Sequence, residues 1–140
     1  MTTTANNSSS GIPSADGNGG KVLVVDDEDY VRGILGKMLE AMGYTVVEAH
    51  DGIKGLELFE ANTDLVACVV DLTMPGMAGM ELLSRIQEIR SDIPVLLMSG
   101  YSRLEVRQQE ARSSQVRFLQ KPFTMEQFGL QFREALSAAN

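Results

Sequence analysis

The sequence predicts an α/β fold, a doubly wound parallel sheet of five strands with helices on both faces, and three observations support it. Short apolar runs alternate along the chain with stretches whose apolar residues recur at helical spacing. Five such strand–helix pairs follow one another, and right-handed crossovers would place their helices on both faces of the sheet. The central run, Leu65–Val70, is apolar at every position, as is typical of a strand buried on both faces.

The first two strand–helix pairs have clear boundaries. The first strand spans Val22–Val25 and ends at an acidic run, after which a helical pattern begins. Gly43 follows this helix at the position expected of a C′ residue. The second strand is predicted over Tyr44–Ala49 and the second helix over Ile53–Glu60. The apolar residues that we expect these two helices to turn inward are Tyr30, Val31, Ile34, Leu35, Met38, Leu39, Met42, Leu56 and Phe59.

The later elements continue the alternation. The fourth strand is predicted over Pro94–Met98 and the fifth over Val116–Leu119. Thr124 and Gln127 match a capping box at the start of the fifth and final helix. The apolar stripes are Met80, Leu82, Leu83, Ile86 and Ile89 in the third helix, and Met125, Phe128, Phe132 and Leu136 in the fifth.

The fourth helix differs from the others. Ser102 and Glu105 form a second capping box, which predicts a helix over Arg103–Arg112. Only three of its residues are apolar: Leu104, Val106 and Ala111. A helix with so little to bury should have low local stability, so we expect it to be a moving part.

Length and composition set the class of molecule. The chain has 140 residues, a formal charge of −7 and a single cysteine, Cys68, which we expect to be a small buried hydrophobe. The acidic balance disfavours a nucleic-acid binder, and one cysteine excludes an intramolecular disulfide. No apolar run reaches the roughly 20 residues of a membrane span, and no signal peptide opens the chain. The Ser-, Thr-, Asn- and Gly-rich residues 1–20 predict a flexible linker or tail before one soluble, cytoplasmic domain, 21–140.

Charged and polar residues follow four of the predicted strands at the point where each strand ends: Asp26 with Asp27, Asp71, Ser99 and Lys121. In open α/β sheets this carboxyl edge is where ligands bind. Singly, each residue has a plainer interpretation, such as a helix cap for Asp27 or a surface lysine for Lys121. Together, three converging carboxylates would repel one another unless a cation lay between them. Mg²⁺, with its preference for carboxylate oxygens and phosphate, meets this need, and Mn²⁺ is an alternative.

Asp71 occupies the centre of this edge, after the most buried strand. A carboxylate beside a metal ion can attack phosphorus and form an aspartyl phosphate. Lys121 would then neutralise the phosphoryl oxygens, and Ser99 would donate a hydrogen bond to one of them. Phosphoryl transfer needs little beyond such positioning and charge stabilisation.

Four motifs carry a family resemblance: VLVVDDE (22–28), VVDLTMPGMAG (69–79), LLMSGY (96–101) and FLQKPF (118–123). Together they resemble the CheY-like receiver domain of two-component response regulators, and the resemblance covers about residues 21–140. It implies a flavodoxin-like strand order, 2-1-3-4-5. The Gly- and Ser-rich start of the chain, with SGY and FLQKPF, resembles the C-terminal receiver of hybrid sensor histidine kinases.

The resemblance also implies the chemistry and the partners. Asp71 would accept a phosphoryl group from a phosphohistidine on a histidine kinase or a histidine phosphotransfer domain. Asp26, Asp27, Asp71 and the backbone carbonyl of Thr73 would bind Mg²⁺. The domain would catalyse only its own aspartyl phosphorylation and dephosphorylation, and would have no other enzymatic activity.

Other positions would convert the phosphate into a signal. Ser99 and the aromatic residue Phe118 match the family's switch pair, although a half-buried edge aromatic is a plainer interpretation of Phe118. Thr73 and Tyr101 match positions that influence the lifetime of the phosphoryl group, and Lys121-Pro122 is expected to be a cis peptide. The switch would alter the surface formed by the fourth helix, the fifth strand and the fifth helix, where a downstream protein would bind.

The sequence leaves four alternatives for the function of the domain. The domain is either the receiver module of a hybrid sensor kinase, tethered to it, or a stand-alone single-domain response regulator. A receiver that docks without phosphorylation is a third interpretation, against which the intact set of site residues argues. A phosphohydrolase of the haloacid dehalogenase type would need a second aspartate two residues after Asp71, where Thr73 stands. No helix-turn-helix follows Ala139 and Asn140, so we expect no direct contact with DNA and none with a membrane.

Overall fold

The computed structural model describes residues 19–72, 79–100 and 116–138, and it contains a five-stranded parallel sheet. The strands lie in the order β2-β1-β3-β4-β5, as the sequence predicted. Because β1 and β3 lie at the centre, their residues are covered on both faces, which explains their continuous apolar sequences. The strands are β1 (Lys21–Val25), β2 (Thr45–Ala49), β3 (Leu65–Asp71), β4 (Val95–Ser99) and β5 (Val116–Gln120).

Within the described residues, four helices cover this sheet in two pairs: α1 (Asp29–Ala41), α2 (Gly52–Ala61), α3 (Gly79–Ile89) and a C-terminal helix (Met125–Ala138). The helices α2 and α3 pack on one face, where Phe59 and Ile86 meet the inward side chains of the strands. The C-terminal helix and α1 pack on the other face, where Phe128 stacks on Phe132 with ring centroids 6.0 Å apart. The predicted helix over 103–112 lies outside the described residues. None of the four described helices is long and apolar enough to cross a membrane.

Three strands, β3, β4 and β5, extend one residue further at the carboxyl end than the sequence predicted. Asp71 is the last residue of β3, opposite Met98 of β4, and Ser99 is the last residue of β4, opposite Gln120 of β5. The prediction ended each strand at its last apolar residue, but the pairing of parallel strands is made by backbone groups and does not depend on side-chain polarity. The side chains of Asp71 and Ser99 are therefore held by the sheet itself.

The helix ends have the predicted chemistry. Gly43 adopts a positive φ of 100° after α1. Its amide donates to the carbonyl of Glu40, and that of Tyr44 donates to Leu39, which is a Schellman motif. Before the C-terminal helix, the amide of Gln127 donates to Thr124 Oγ1 and the amide of Thr124 donates to Gln127 Oε1, so the predicted capping box is present.

Burial corrects three expectations. Tyr30 was expected to face the core, yet it is 79% exposed because it lies in the first turn of α1, beyond the edge of the sheet. Ile89, at the end of α3, is 49% exposed for a similar reason. Phe118 is 5% exposed and packs in the core on the face of the sheet that α2 and α3 cover, so the half-buried interpretation is wrong. Cys68 is fully buried as expected, and burial raises the pKa of its thiol to about 12.

The described chain begins at the amino edge of the sheet. The amide of Gly19 donates to the carbonyl of Gly43, and the amide of Thr45 donates to the carbonyl of Gly20. These bonds attach the start of β1 to the turn that precedes β2. The polar residues Asp71 and Ser99 lie at the opposite, carboxyl edge.

Candidate functional site

Polar side chains from four strands converge at the carboxyl edge of the sheet. Asp26 and Asp27 follow β1, while Asp71 ends β3. Carboxylate oxygens of these three aspartates lie within 4.8 Å of one another. Asp26 and Asp71 are buried, whereas Asp27 is exposed, so the cluster opens towards solvent on the side of Asp27. The predicted convergence of the three aspartates is therefore present.

Lys121 places a positive charge against this cluster. Its Nζ lies 3.2 Å from Asp71 Oδ2 and 4.0 Å from Asp26 Oδ2. A third carboxylate, Glu28 Oε1, lies 3.8 Å from the same ammonium group. The backbone amide of Lys121 donates to the carbonyl of Ser99 at 2.8 Å, and the Lys121-Pro122 peptide is cis, as expected. One ammonium group therefore faces three carboxylates, and the site has an excess of negative charge.

The ionised form of the Asp26 carboxyl group is destabilised in this arrangement. Burial raises the pKa of its carboxyl group from 3.8 to about 6. The hydrogen bond from the amide of Glu28 and the charge of Lys121 lower the pKa, while the charge of Asp71 raises it further. Asp26 Oδ1 accepts the Glu28 amide at 2.8 Å, but buried Oδ2 has no hydrogen-bond partner among the described residues. An unpartnered, buried carboxylate oxygen is strongly unfavourable unless a cation approaches it.

The donor set fits a hard divalent cation. All three aspartates offer oxygen ligands, one of these oxygens is buried without a hydrogen bond, and the exposed side of Asp27 leaves room for water. Mg²⁺ prefers oxygen ligands, binds through one or two carboxylates and retains several waters. The residues present therefore fit the cofactor expected from the sequence. The carbonyl of Thr73, the expected fourth protein ligand, lies outside the described residues.

A glycine brings α3 into close contact with the end of β3. A Cβ atom on Gly79 would overlap the carbonyl oxygen of Asp71 and would lie 2.5 Å from Cα of Leu72. Both neighbours are backbone atoms, so a side chain at this position would have to displace either the helix or the segment that carries Asp71. Gly79 is therefore required for the close approach of α3 to the site.

We expect Gly79→Ala to destabilise the domain by about 1–3 kcal/mol, the usual range for overpacking a tight contact. Urea unfolding followed by circular dichroism measures this change. Gly33→Ala is the matched control, because a Cβ there meets no atom within 4 Å and alanine favours a helix. Equal stability of the two variants would show that the contact at Gly79 relaxes without cost.

The structure describes some of the remaining predicted site residues and not others. Ser99 is fully buried at the end of β4, and Phe118 lies next along the sheet, in β5. Thr73 and Tyr101 lie outside the described residues. The N-cap of α1 is Glu28, so the interpretation of Asp27 as its helix cap is wrong.

Sequence reasoning did not find three residues that shape the site. Glu28 contacts Lys121, Arg32 donates to the carbonyl of Asp26, and Gly79 allows the approach of α3. Glu28 was visible only as part of an acidic run. Arg32 and Gly79 act on backbone atoms, which leave no pairing signal in a single sequence.

The strand order and the placement of the helices are those of the flavodoxin-like fold of CheY-like domains. The family comparison is specific: residues 22–132 match the response regulator receiver domain, and the chain belongs to that family. This match extends from β1 to the C-terminal helix and includes every residue of the site.

Individual relatives extend the comparison. The chain is 31% identical over 108 residues to sporulation initiation phosphotransferase F of Bacillus subtilis, covering 76% of this chain and 86% of that protein. It is 36% identical over 116 residues to sensor kinase CckA of Brucella abortus, covering 82% of this chain but 12% of CckA. Among solved structures, the receiver domain of hybrid histidine kinase CckA superposes with a TM-score of 0.70 at 32% identity, covering 84% and 99% of the two chains. The chain spans half or less of the length of several curated relatives.

Proposed function

We propose that the domain receives a phosphoryl group on Asp71 from a phosphohistidine of a histidine kinase or a histidine phosphotransfer domain. A carboxylate oxygen of Asp71 forms a bond to phosphorus, the phosphorus–nitrogen bond of the donor breaks, and the imidazole nitrogen takes up a proton. Bound Mg²⁺ would neutralise charge on the transferred oxygens. Lys121 neutralises further charge on the side where it contacts Asp71.

The 3.2 Å contact between Lys121 and Asp71, within a cluster that holds two more aspartates, is the observation that supports this proposal most. The test is incubation with acetyl phosphate and Mg²⁺, followed by intact mass spectrometry. We expect a mass increase of one phosphoryl group that requires Mg²⁺. Chelation of Mg²⁺ before the donor is added should prevent this increase. No increase at any concentration of Mg²⁺ would contradict the proposal.

Ser99 and Phe118 would convert phosphorylation into a change of shape. Ser99 is buried at the carboxyl end of β4, and its carbonyl accepts the amide of Lys121, so this residue lies next to the region that a phosphoryl group would enter. Phe118 is already buried in this structure. A shift in the balance between two conformations therefore accounts for the switch better than an entry of Phe118 from solvent.

We expect Ser99→Ala to be phosphorylated but to respond weakly in structure. A hydrogen bond to a charged group contributes roughly 1.5–3 kcal/mol, which is about a ten- to hundredfold change in the balance of two states. Amide chemical shifts before and after phosphorylation measure the response, and Ser84→Ala on the exposed face of α3 is the control. A full response in Ser99→Ala would remove this residue from the switch.

We also propose the kind of protein to which the domain belongs. The likeness to CckA favours a receiver module of a hybrid sensor kinase, with residues 1–20 as a linker, over a stand-alone response regulator. Its phosphorylation would take place in the cytoplasm. The domain would have no activity other than the gain and loss of its own phosphoryl group, and its output would be a protein that binds the switched surface.

A further inference from the structure

The guanidinium group of Arg32, in the first turn of α1, connects three parts of the structure. Its Nη1 donates to the backbone carbonyl of Asp26 at 2.7 Å, its Nε donates to Glu48 Oε1 of β2 at 3.0 Å, and its Nη2 donates to Asp29 Oδ1 at 2.6 Å. The side chain of Arg32 is only 15% exposed. The planar fork of arginine fixes the directions of these bonds, which a lysine could not reproduce.

The hydrogen bond from Arg32 adds to two others that fix the position of Asp26. The amide of Asp26 donates to the carbonyl of Ala49 at 3.1 Å, and Oδ1 accepts the amide of Glu28 at 2.8 Å. With Arg32 on the carbonyl, every polar atom of Asp26 has a hydrogen bond except Oδ2, whose contact with the cluster is the longer ion pair of 4.0 Å with Lys121 Nζ. The contacts of Asp26 therefore leave one oxygen for a cation.

The same bond constrains the next residue. The carbonyl of Asp26 and the amide of Asp27 belong to one planar peptide unit, so a fixed carbonyl direction also fixes the direction in which Asp27 leaves β1. Asp27 is exposed, so burial in the core does not hold its side chain. Rotation of this peptide would break the bond from Arg32 and move the carboxylate of Asp27 relative to Asp26 and Asp71.

We propose that Arg32, oriented by Glu48, is a positioning residue of the site, which holds the Asp26–Asp27 peptide so that both carboxylates face the same cation. The inference rests on the proposed binding of Mg²⁺ by these aspartates. It assigns to Arg32 a role in metal affinity, through the backbone, and not in the transfer step itself. Groups that orient ligands in this way commonly change metal affinity by 10- to 100-fold when they are removed.

A second arginine provides the contrast between positioning and general stabilisation. Arg90, just after α3, donates from Nη1 to the backbone carbonyl of Leu65 at 2.7 Å, the same type of bond at the same length as that of Arg32. Leu65 is the first residue of β3, at the amino edge, so this bond lies far from the acidic cluster. Arg90→Lys therefore removes an equivalent contact without touching the site.

The test compares Arg32→Lys, Arg90→Lys and Asp27→Ala with the unaltered domain. Calorimetric titration with Mg²⁺ gives the dissociation constant, and urea unfolding gives the stability. We expect Arg32→Lys to raise the dissociation constant at least about tenfold, while Arg90→Lys leaves it within about twofold at a comparable loss of stability. The rate of labelling by acetyl phosphate in Arg32→Lys should recover towards that of the unaltered domain at saturating Mg²⁺.

The outcomes separate this inference from the proposed function. If Asp27→Ala binds Mg²⁺ as well as the unaltered domain does, the assignment of the metal ligands fails, and the inference fails with it. If Asp27→Ala binds weakly but Arg32→Lys binds normally, only the role of Arg32 is overturned. Should Arg32→Lys fail to fold, Glu48→Gln serves instead, because it removes the charge that orients Arg32 and keeps the shape of the side chain. A rise in the Mg²⁺ dissociation constant of Glu48→Gln, smaller than that expected for Arg32→Lys, supports the inference. An unchanged Mg²⁺ dissociation constant in Glu48→Gln overturns it.

Discussion

Replacement of Asp71 by asparagine is expected to abolish labelling of the domain by acetyl phosphate and Mg²⁺. Asp71 is 1% exposed, and its Oδ2 lies 3.2 Å from Lys121 Nζ, so an amide of nearly the same shape keeps the packing. It removes the negative charge that attacks phosphorus. It also removes one of the three carboxylates proposed as ligands, so both the proposed nucleophile and part of the proposed cation site are lost. Intact mass spectrometry is the measurement.

The control for this variant is Asp64→Asn, at the residue just before the other end of β3. Asp64 forms an ion pair of 3.2 Å with Lys21 at the amino edge, and its side chain is 63% exposed. Exposed pairs contribute little to stability, so we expect Asp64→Asn to be labelled as fast as the unaltered domain. Undiminished labelling of Asp71→Asn would show that another residue accepts the phosphoryl group.

Asp26→Asn is expected to stabilise the metal-free domain and to remove most of its stabilisation by Mg²⁺. The ionised carboxylate of Asp26 is fully buried, and its Oδ2 has no hydrogen-bond partner among the described residues. A neutral amide avoids this cost, and we expect a gain on the order of 1–3 kcal/mol near pH 7. In the unaltered domain, Mg²⁺ at 100 times its dissociation constant adds about 2.7 kcal/mol, and the variant should lose most of that gain.

The stability of the domain should depend on pH through the carboxyl group of Asp26, and the pKa of that group gives the direction. The pKa of Asp26 is about 6 in the folded domain and 3.8 in its ordinary state, so the folded domain binds the proton more tightly. The contribution of the protonated carboxyl group to stability is fully present below the ordinary pKa and is lost as pH rises through about 6. The advantage of Asp26→Asn should therefore disappear as pH falls to about 4. Affinity for Mg²⁺ should weaken below about 6 in the unaltered domain, because the metal requires the ionised form.

Urea unfolding at several pH values, with and without Mg²⁺, measures both the stability of the metal-free domain and its stabilisation by Mg²⁺. Asp64→Asn is again the control, and its stability should follow that of the unaltered domain. Equal stability of Asp26→Asn and the unaltered domain near pH 7 would mean that the buried carboxylate carries no cost. An undiminished response of Asp26→Asn to Mg²⁺ would remove Asp26 from the set of ligands.

The parts of the molecule that the sequence revealed are those encoded by periodic burial. Leu65–Val70 is apolar throughout because β3 is central, and Gly43 marks the end of α1 because the chain turns there with a positive φ. Once the strands were assigned, parallel pairing had to bring Asp26 and Asp71 to one edge. The convergence of the site was therefore predictable from strand order and strand ends.

Other features depend on contacts between side chains and backbone, which a single sequence does not record. The bond from Arg32 to the carbonyl of Asp26 would form with any residue at position 26, and the approach of α3 at Gly79 depends on backbone atoms of Asp71 and Leu72. Helical spacing alone placed Tyr30 in the core, since periodicity gives the direction of a side chain but not where the sheet ends.

The attachment of Gly19 and Gly20 to the turn before β2 has a geometric consequence for any polypeptide joined upstream. The strand β1 has five residues, or about 17 Å of extended chain, between that attachment and the carboxyl edge. Any polypeptide joined upstream therefore enters the described part of the domain at the edge opposite the aspartates. A linker to a phosphohistidine in the same polypeptide would have to span at least the length of β1 to bring that group to Asp71.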